Sequence, residues 1–138
     1  VGENAENDRL VLKSLRVTCG TDGPQEAVMT LSIDGQDVST TATGDGPVDA
    51  TFNAVKALYP HTARLQLYQV HAVTEGTDAQ ATVSVRMEED GNISIGESAD
   101  TDTVVASARA YLKALNRLLM RRDRIGEDHK EISYKDYS

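Results

Sequence analysis

The chain of 138 residues has no tryptophan and a single phenylalanine, with five tyrosines. A hydrophobic interior must therefore come from Val, Leu, Ile, Met and Ala, and no run of aromatic rings is available to stack on bases. The single cysteine, Cys19, excludes an internal disulfide and fits a reducing, cytoplasmic setting. Positive charge is in deficit, with 14 Lys and Arg against 22 Asp and Glu and a formal net charge of −8. Nucleic acid and anionic membrane are poor partners for such a surface, since both need cations. No apolar run nears the ~20 residues of a membrane-spanning helix, and no signal-peptide pattern opens the chain. The histidines His61, His71 and His129 are scattered, and no spacing matches a zinc site.

What is present is repetition. Leu10 to Cys19 reads as a strand, and Ala27, Met29, Leu31 and Ile33 alternate with polar or exposed positions as a half-buried strand does. Asp34-Gly35 is a hairpin signal, because both residues tolerate positive φ. A third strand through Val38 runs to Thr43, and a helix follows to about Leu58. The series then recurs: a strand from Leu65 to Thr74, an alternating strand through Ala79, Ala81, Val83, Val85 and Met87, the turn Asp90-Gly91, a strand with Ile93 and Ile95, and a helix from about Asp102. Gly91 follows Gly35 by 56 positions, and the same offset lays Leu31 on Met87, Val48 on Val104, Ala50 on Ala106 and Ala54 on Ala110. This predicts an α+β domain of two pseudo-symmetric βββα units, residues 10–59 and 63–121, completed by dimerisation. Residues 1–9 are polar, lack an initiator methionine and read as a linker remnant of a longer protein. Residues 122–138 read as a polar tail, for which disorder is the default. Arg109, Lys113, Arg117 and Arg121 recur every four residues as a basic stripe, read as a solvated face.

The first helix begins at Gly44-Asp45-Gly46-Pro47-Val48-Asp49. Proline suits the first helical position, and Asp49 suits the positive end of the dipole. Backbone N–H groups fanned there can hold a carboxylate or phosphate. Gly44-Asp45-Gly46 lacks the Gly-Lys-Ser/Thr ending of a P-loop, and Asp49 stands where a dinucleotide fingerprint needs its third glycine. No serine or cysteine lies in a nucleophile motif. The features fit a free branched amino acid: donors for its carboxylate, Asp45 or Asp49 for its ammonium, and small Ala72, Ala79 and Ala81 beside an aliphatic side chain. The rival readings are a small enzyme using Asp45 and Asp49 as acid and base, and a structural dimerisation module.

Three stretches carry a further likeness. Gly44 to Ala50, Tyr68 through Ala72 to Ala79, and Asp100-Thr101-Asp102-Thr103 through Tyr111 to Leu118 resemble the C-terminal regulatory domain of 2-isopropylmalate synthase. The resemblance implies a dimer of paired βββα units that binds L-leucine and inhibits a catalytic barrel of the same chain. It places the ligand against Gly44, Asp45, Gly46, Val48, Asp49, Tyr68, Ala72, Ala79 and Ala81. It implies no catalysis and no cofactor in this domain, the divalent metal and acetyl-CoA belonging to the barrel. Ser98 and Gln80-Ala81 depart from the family pattern, which often has glycine near both. The isoleucine-sensing domain of citramalate synthase is similar and is the alternative. Valine at Gly44 or Gly46 is expected to block the ligand and spare the fold.

Overall fold

The computed structural model describes residues 8–72 and 80–136. Strands β1 (Leu10–Thr18), β2 (Gln25–Ile33) and β3 (Gln36–Gly44) form one antiparallel sheet in that order, followed by helix α1 (Pro47–Leu58). Strands β4 (Arg64–Ala72), β5 (Ala81–Glu89) and β6 (Asn92–Asp100) form a second, followed by helix α2 (Thr103–Asp136). The chain is thus the expected βββα unit twice over. The two hairpins are near-copies: Asp34 and Gly35 have φ of 53° and 86°, Asp90 and Gly91 of 52° and 83°. Positive φ at both central residues matches the twist of the flanking strands, which is why Asp-Gly fixes the turn. The first strand of each sheet even carries its irregularity at the matching place, between Leu12 and Ser14 and between Leu65 and Leu67.

Each middle strand turns its apolar alternation toward a helix. Ala27, Met29 and Leu31 of β2, and Val83, Val85 and Met87 of β5, are fully buried. Helix α1 lies on β2 and β3, α2 lies on β5 and β6, and the helices touch each other. Close approach is set by small residues. A Cβ on Gly96 of β6 would fall 2.1 Å from the Ala110 carbonyl oxygen of α2 and 2.6 Å from Ala114 N, so only glycine fits there. Where the helices meet, Phe52 of α1 packs on Tyr111 of α2 with centroids 4.4 Å apart, and edge-on to Tyr68 of β4 at 5.9 Å. The Tyr111 hydroxyl pairs with His61 Nε2 at 3.0 Å. Burial pushes the tyrosine's pKa up and the histidine's down, so both stay neutral in the core.

The basic stripe of α2 is not spent on solvent. Arg109 meets Asp100 at 3.3 Å, Lys113 donates to the Glu97 carbonyl at 2.9 Å, and Arg117 and Arg121 donate to the carbonyls of Ile95 and Ile93. Four residues of helix rise about 6 Å, and two residues of strand about 6.6 Å. A cation every fourth position therefore meets every second carbonyl along the edge of β6, a match that helix periodicity alone does not reveal.

Two boundaries differ from the sequence reading. Helix α2 continues through Gly126 to Asp136, where a polar tail was expected. The segment has no proline, and Arg, Glu and Lys are good helix formers. Arg9, assigned to the linker, is held to the β2–β3 turn: its guanidinium meets Asp34 at 2.8 and 3.1 Å, and its carbonyl accepts the Asp34 N–H. The guanidinium keeps the Asp34 carboxyl below the usual carboxylate value.

Helix α2 also holds the other sheet. The buried Asn116 side chain accepts from Leu10 N–H at 3.0 Å and donates to the Leu10 carbonyl at 2.8 Å. Asn116→Ala removes both partners from a backbone unit that water does not reach. We expect a loss of about 2 kcal/mol or more in chemical denaturation; an unchanged midpoint would remove this clamp from the account of the fold.

Candidate functional site

The two helix starts are equivalent by the repeat and opposite in chemistry. At α2, Asp102 Oδ1 accepts the N–H groups of Val104 at 2.8 Å and Val105 at 3.3 Å. Asp102 is therefore the N-cap of α2. Asp100 in turn accepts the Asp102 N–H at 2.9 Å. The residue 56 positions earlier is Gly46, the N-cap of α1, and no side chain caps that helix. Its φ of −152° and ψ of 175° are extended backbone that any residue adopts. A Cβ at Gly46 would meet nothing within 4 Å. Among the described residues, glycine here satisfies neither a conformational nor a packing demand; it leaves the helix start bare.

Around that bare start the junction is well fixed. Asp49 Oδ2 accepts the Asp45 N–H at 3.0 Å, Asn53 donates to the Thr43 carbonyl at 2.9 Å, and Thr51 Oγ1 donates to the Pro47 carbonyl at 2.6 Å. Asp45 and Asp49 are both exposed, and the Asp49 carboxylate is engaged with backbone, which suits a turn better than an acid–base pair in a walled cleft. Gly44 is different from Gly46. A Cβ there would lie 2.5 Å from Ala50 N and 2.8 Å from Asp49 C, so the expectation that valine at Gly44 would spare the fold is corrected: this glycine is where strand and helix touch.

Tyr68 is half-buried on β4 and reaches α1 through Phe52. The register pairs Tyr68 with Val85, Val70 with Val83 and Ala72 with Ala81, which puts Tyr68, Ala72 and Ala81 on one face of the second sheet. Ala79 lies outside the described residues. The repeat offers a check on this set. A cavity of about 260 Å³ sits between the helix starts and β1, lined by Leu15, Val17, Cys19, Pro47, Asp102, Val104 and Val105. In the equivalent places stand Tyr68, Val70 and Ala72 of β4 and Gly46, Val48 and Asp49 of α1. The expected site residues are thus repeat partners of a cavity wall, with Gly46 in place of the capping aspartate. Phe52, Ser107 and Asp102 were not singled out for the site, although Phe52, four residues after Val48, shares its helix face.

Among the described residues no three His, Cys, Asp or Glu side chains are grouped to hold a metal ion, and no helix is long and apolar enough to cross a membrane.

A family model described as the LeuA allosteric (dimerisation) domain matches residues 2–119. Similar curated proteins bear the name 2-isopropylmalate synthase. That of Caulobacter sp. (strain K31) is 58% identical over 118 residues, covering 86% of this chain and 22% of its own. That of Bradyrhizobium diazoefficiens is 59% identical over 120 residues, covering 87% and 23%. The chain therefore spans under a quarter of the length of these relatives.

The two glycines are separable by stability alone. Gly44→Ala is expected to cost about 1–3 kcal/mol through the forced contact with backbone. Gly46→Ala is expected to cost under about 1 kcal/mol, the difference between Gly and Ala as caps. Equal losses in thermal denaturation would contradict the bare helix start.

Proposed function

The chain belongs to the family of LeuA allosteric (dimerisation) domains, and from that premise we propose that it is the leucine-sensing part of a 2-isopropylmalate synthase. L-Leucine binds at the start of α1 and the bound state inhibits catalysis elsewhere in the enzyme, which acts in the cytoplasm. The divalent metal and acetyl-CoA chemistry belongs to that catalytic part. One observation carries the reading: of two equivalent helix starts, one is filled by its own Asp102 carboxylate, and the other presents glycine and open space. A helix start without an internal acceptor offers its N–H groups and the dipole's positive end to an outside carboxylate. Val48, Tyr68 and Ala81 are apolar or small, as the walls around a branched side chain need to be, and the names of the relatives favour leucine over isoleucine.

Gly46→Asp tests this by copying repeat two into repeat one. The new carboxylate caps α1 as Asp102 caps α2, so the fold keeps its stability to within about 1 kcal/mol. Leucine affinity falls well over tenfold, or ~1.4 kcal/mol. In the parent chain, leucine at a hundredfold excess over Kd adds about 2.7 kcal/mol of stability; the variant's melting curve should not move. A parent chain that answers isoleucine and not leucine reassigns the effector, and one that answers neither sinks the sensor reading.

We further propose a homodimer built over β4. Leu65, Leu67 and Val70 remain 41, 42 and 44% exposed on a strand with one neighbour, a liability that a twofold partner removes. Val70→Arg is expected to shift the sedimentation of the chain at micromolar concentration from dimer to monomer; a parent chain that is already monomeric, with and without leucine, contradicts the proposal.

A further inference from the structure

The corner where repeat one hands over to repeat two is polar, although the repeat itself does not require it to be. Residues 59–63 join the end of α1 to β4. Two of them are held by side chains of repeat two: Thr62 donates to Glu89 Oε2 at 2.8 Å, and His61 Nε2 pairs with the Tyr111 hydroxyl at 3.0 Å. Glu89 is buried, and its other carboxylate oxygen meets Arg122 of α2. The residues 56 positions before Glu89 and Tyr111 are Ile33 and Val55. Repeat one thus builds the equivalent positions from apolar side chains. A carboxylate out of water is costly unless it is paired, so repeat two carries a polar cluster that its twin does without.

We propose that His61 is a proton-operated latch at this corner: neutral, it holds the 59–63 connection against α2, and protonated, it releases it. The latch is separate from the effector site and does not depend on it. The side chains that face the ring are Lys56 from α1, Glu89 from β5, and Tyr111 and Arg122 from α2. Burial opposes the imidazolium most, and Lys56 next. Glu89 and the nearby Ala63 backbone favour it, Arg122 opposes it, and the balance holds the pKa below the ordinary histidine value. Glu89 is a weak counter-charge for His61, because its oxygens are already engaged by Arg122 and Thr62. A histidine cation donates from both ring nitrogens, and Nδ1 is buried and makes no hydrogen bond among the described residues. The half-buried ring therefore gains, once charged, by turning out to water. It leaves behind the Tyr111 hydroxyl. Tyr111 is fully buried and packs on Phe52 of α1 at 4.4 Å, so losing the partner of that hydroxyl carries a desolvation cost at the contact between the two helices. A histidine pKa held low in the folded chain contributes stability above the ordinary value of about 6.5, and that stability is lost as pH falls below it.

An NMR titration of the 138-residue chain without added ligand, from about pH 7.5 to about pH 5.5, where free carboxylates stay ionised, tests the latch. The His61 ring, assigned by its loss in His61→Gln, is expected to titrate below the ordinary histidine value. The amide signals of residues 59–65 and the ring signals of Phe52 and Tyr111 should move with the same midpoint, while those of the Asp34-Gly35 turn stay in place. Over the same range the melting temperature of the parent chain should fall by a few degrees more than that of His61→Gln. A ring that titrates at or above the ordinary value overturns the proposal. So does a ring that titrates while residues 59–65 and Phe52 do not respond, or a parent and variant with equal pH dependence. Should His61→Gln fail to fold, the titration of the parent chain decides alone. None of these readings involves the effector, so their failure leaves the sensor reading untouched.

Discussion

The structure depends on one long helix holding two sheet edges at once. Among the described residues, six strands in two separate sheets have four outer edges, and every edge is a row of backbone groups in need of partners. Helix α2 meets two of them. Its side chains run along the carbonyls of β6 in step with the strand, and Asn116 closes on the backbone of Leu10 at the start of β1. These contacts differ in weight. The cations of the stripe are largely exposed, and such pairs contribute little each; their effect is to occupy an edge that would otherwise recruit another strand. The amide of Asn116 is buried, and a buried backbone unit left unpaired costs its full desolvation. The clamp is therefore where the two halves become one domain.

The repeats are alike in backbone and unlike at the starts of their helices. The hairpin angles, the strand irregularities and the helix starts coincide, and yet Gly46 faces Asp102 across the offset. A helix start has a fixed need for acceptors. One copy meets it internally and gains stability; the other leaves it to solvent. That second choice has a cost, since a capping side chain typically adds about 1 kcal/mol. In a domain whose every other junction around α1 is satisfied, by Asp49, Thr51 and Asn53, the omission singles out this position.

Element order, hairpins and the repeat were legible because each rests on local chemistry: alternation, Asp-Gly turns and Pro at a helix start. The βββα pair follows from these without tertiary knowledge. The stripe of Arg109, Lys113, Arg117 and Arg121 was legible as a pattern but not as a function, because its partners are carbonyls and carbonyls carry no sequence signature. Gly44 and Gly46 look interchangeable in sequence; only the position of Ala50 N separates a contact glycine from an open one. Ser107 was invisible for a similar reason, since a serine four residues into a helix has an ordinary explanation until Tyr68 is found above it. The helix beyond Arg122 was missed because a tail with little to bury was taken to lack structure, and helix propensity was given too little weight.

A bare helix start is also economical as a receptor. The donors of α1 are fixed by the helix itself, and the loop before it is pinned by backbone and side-chain bonds that need no ligand. On the proposed reading, binding there would replace water with a carboxylate on groups already aimed, so little ordering would be charged against affinity. A ligand shifts a conformational balance only by its differential affinity for the two states. A site rigid on one wall must find that difference in the other. On that reading the other wall is β4, an edge strand with one neighbour among the described strands, whose Tyr68 is joined by hydrogen bond to Ser107 of α2. On the proposed reading the rigid helix start supplies recognition, while Tyr68 ties β4 directly to the helix that clamps both sheets.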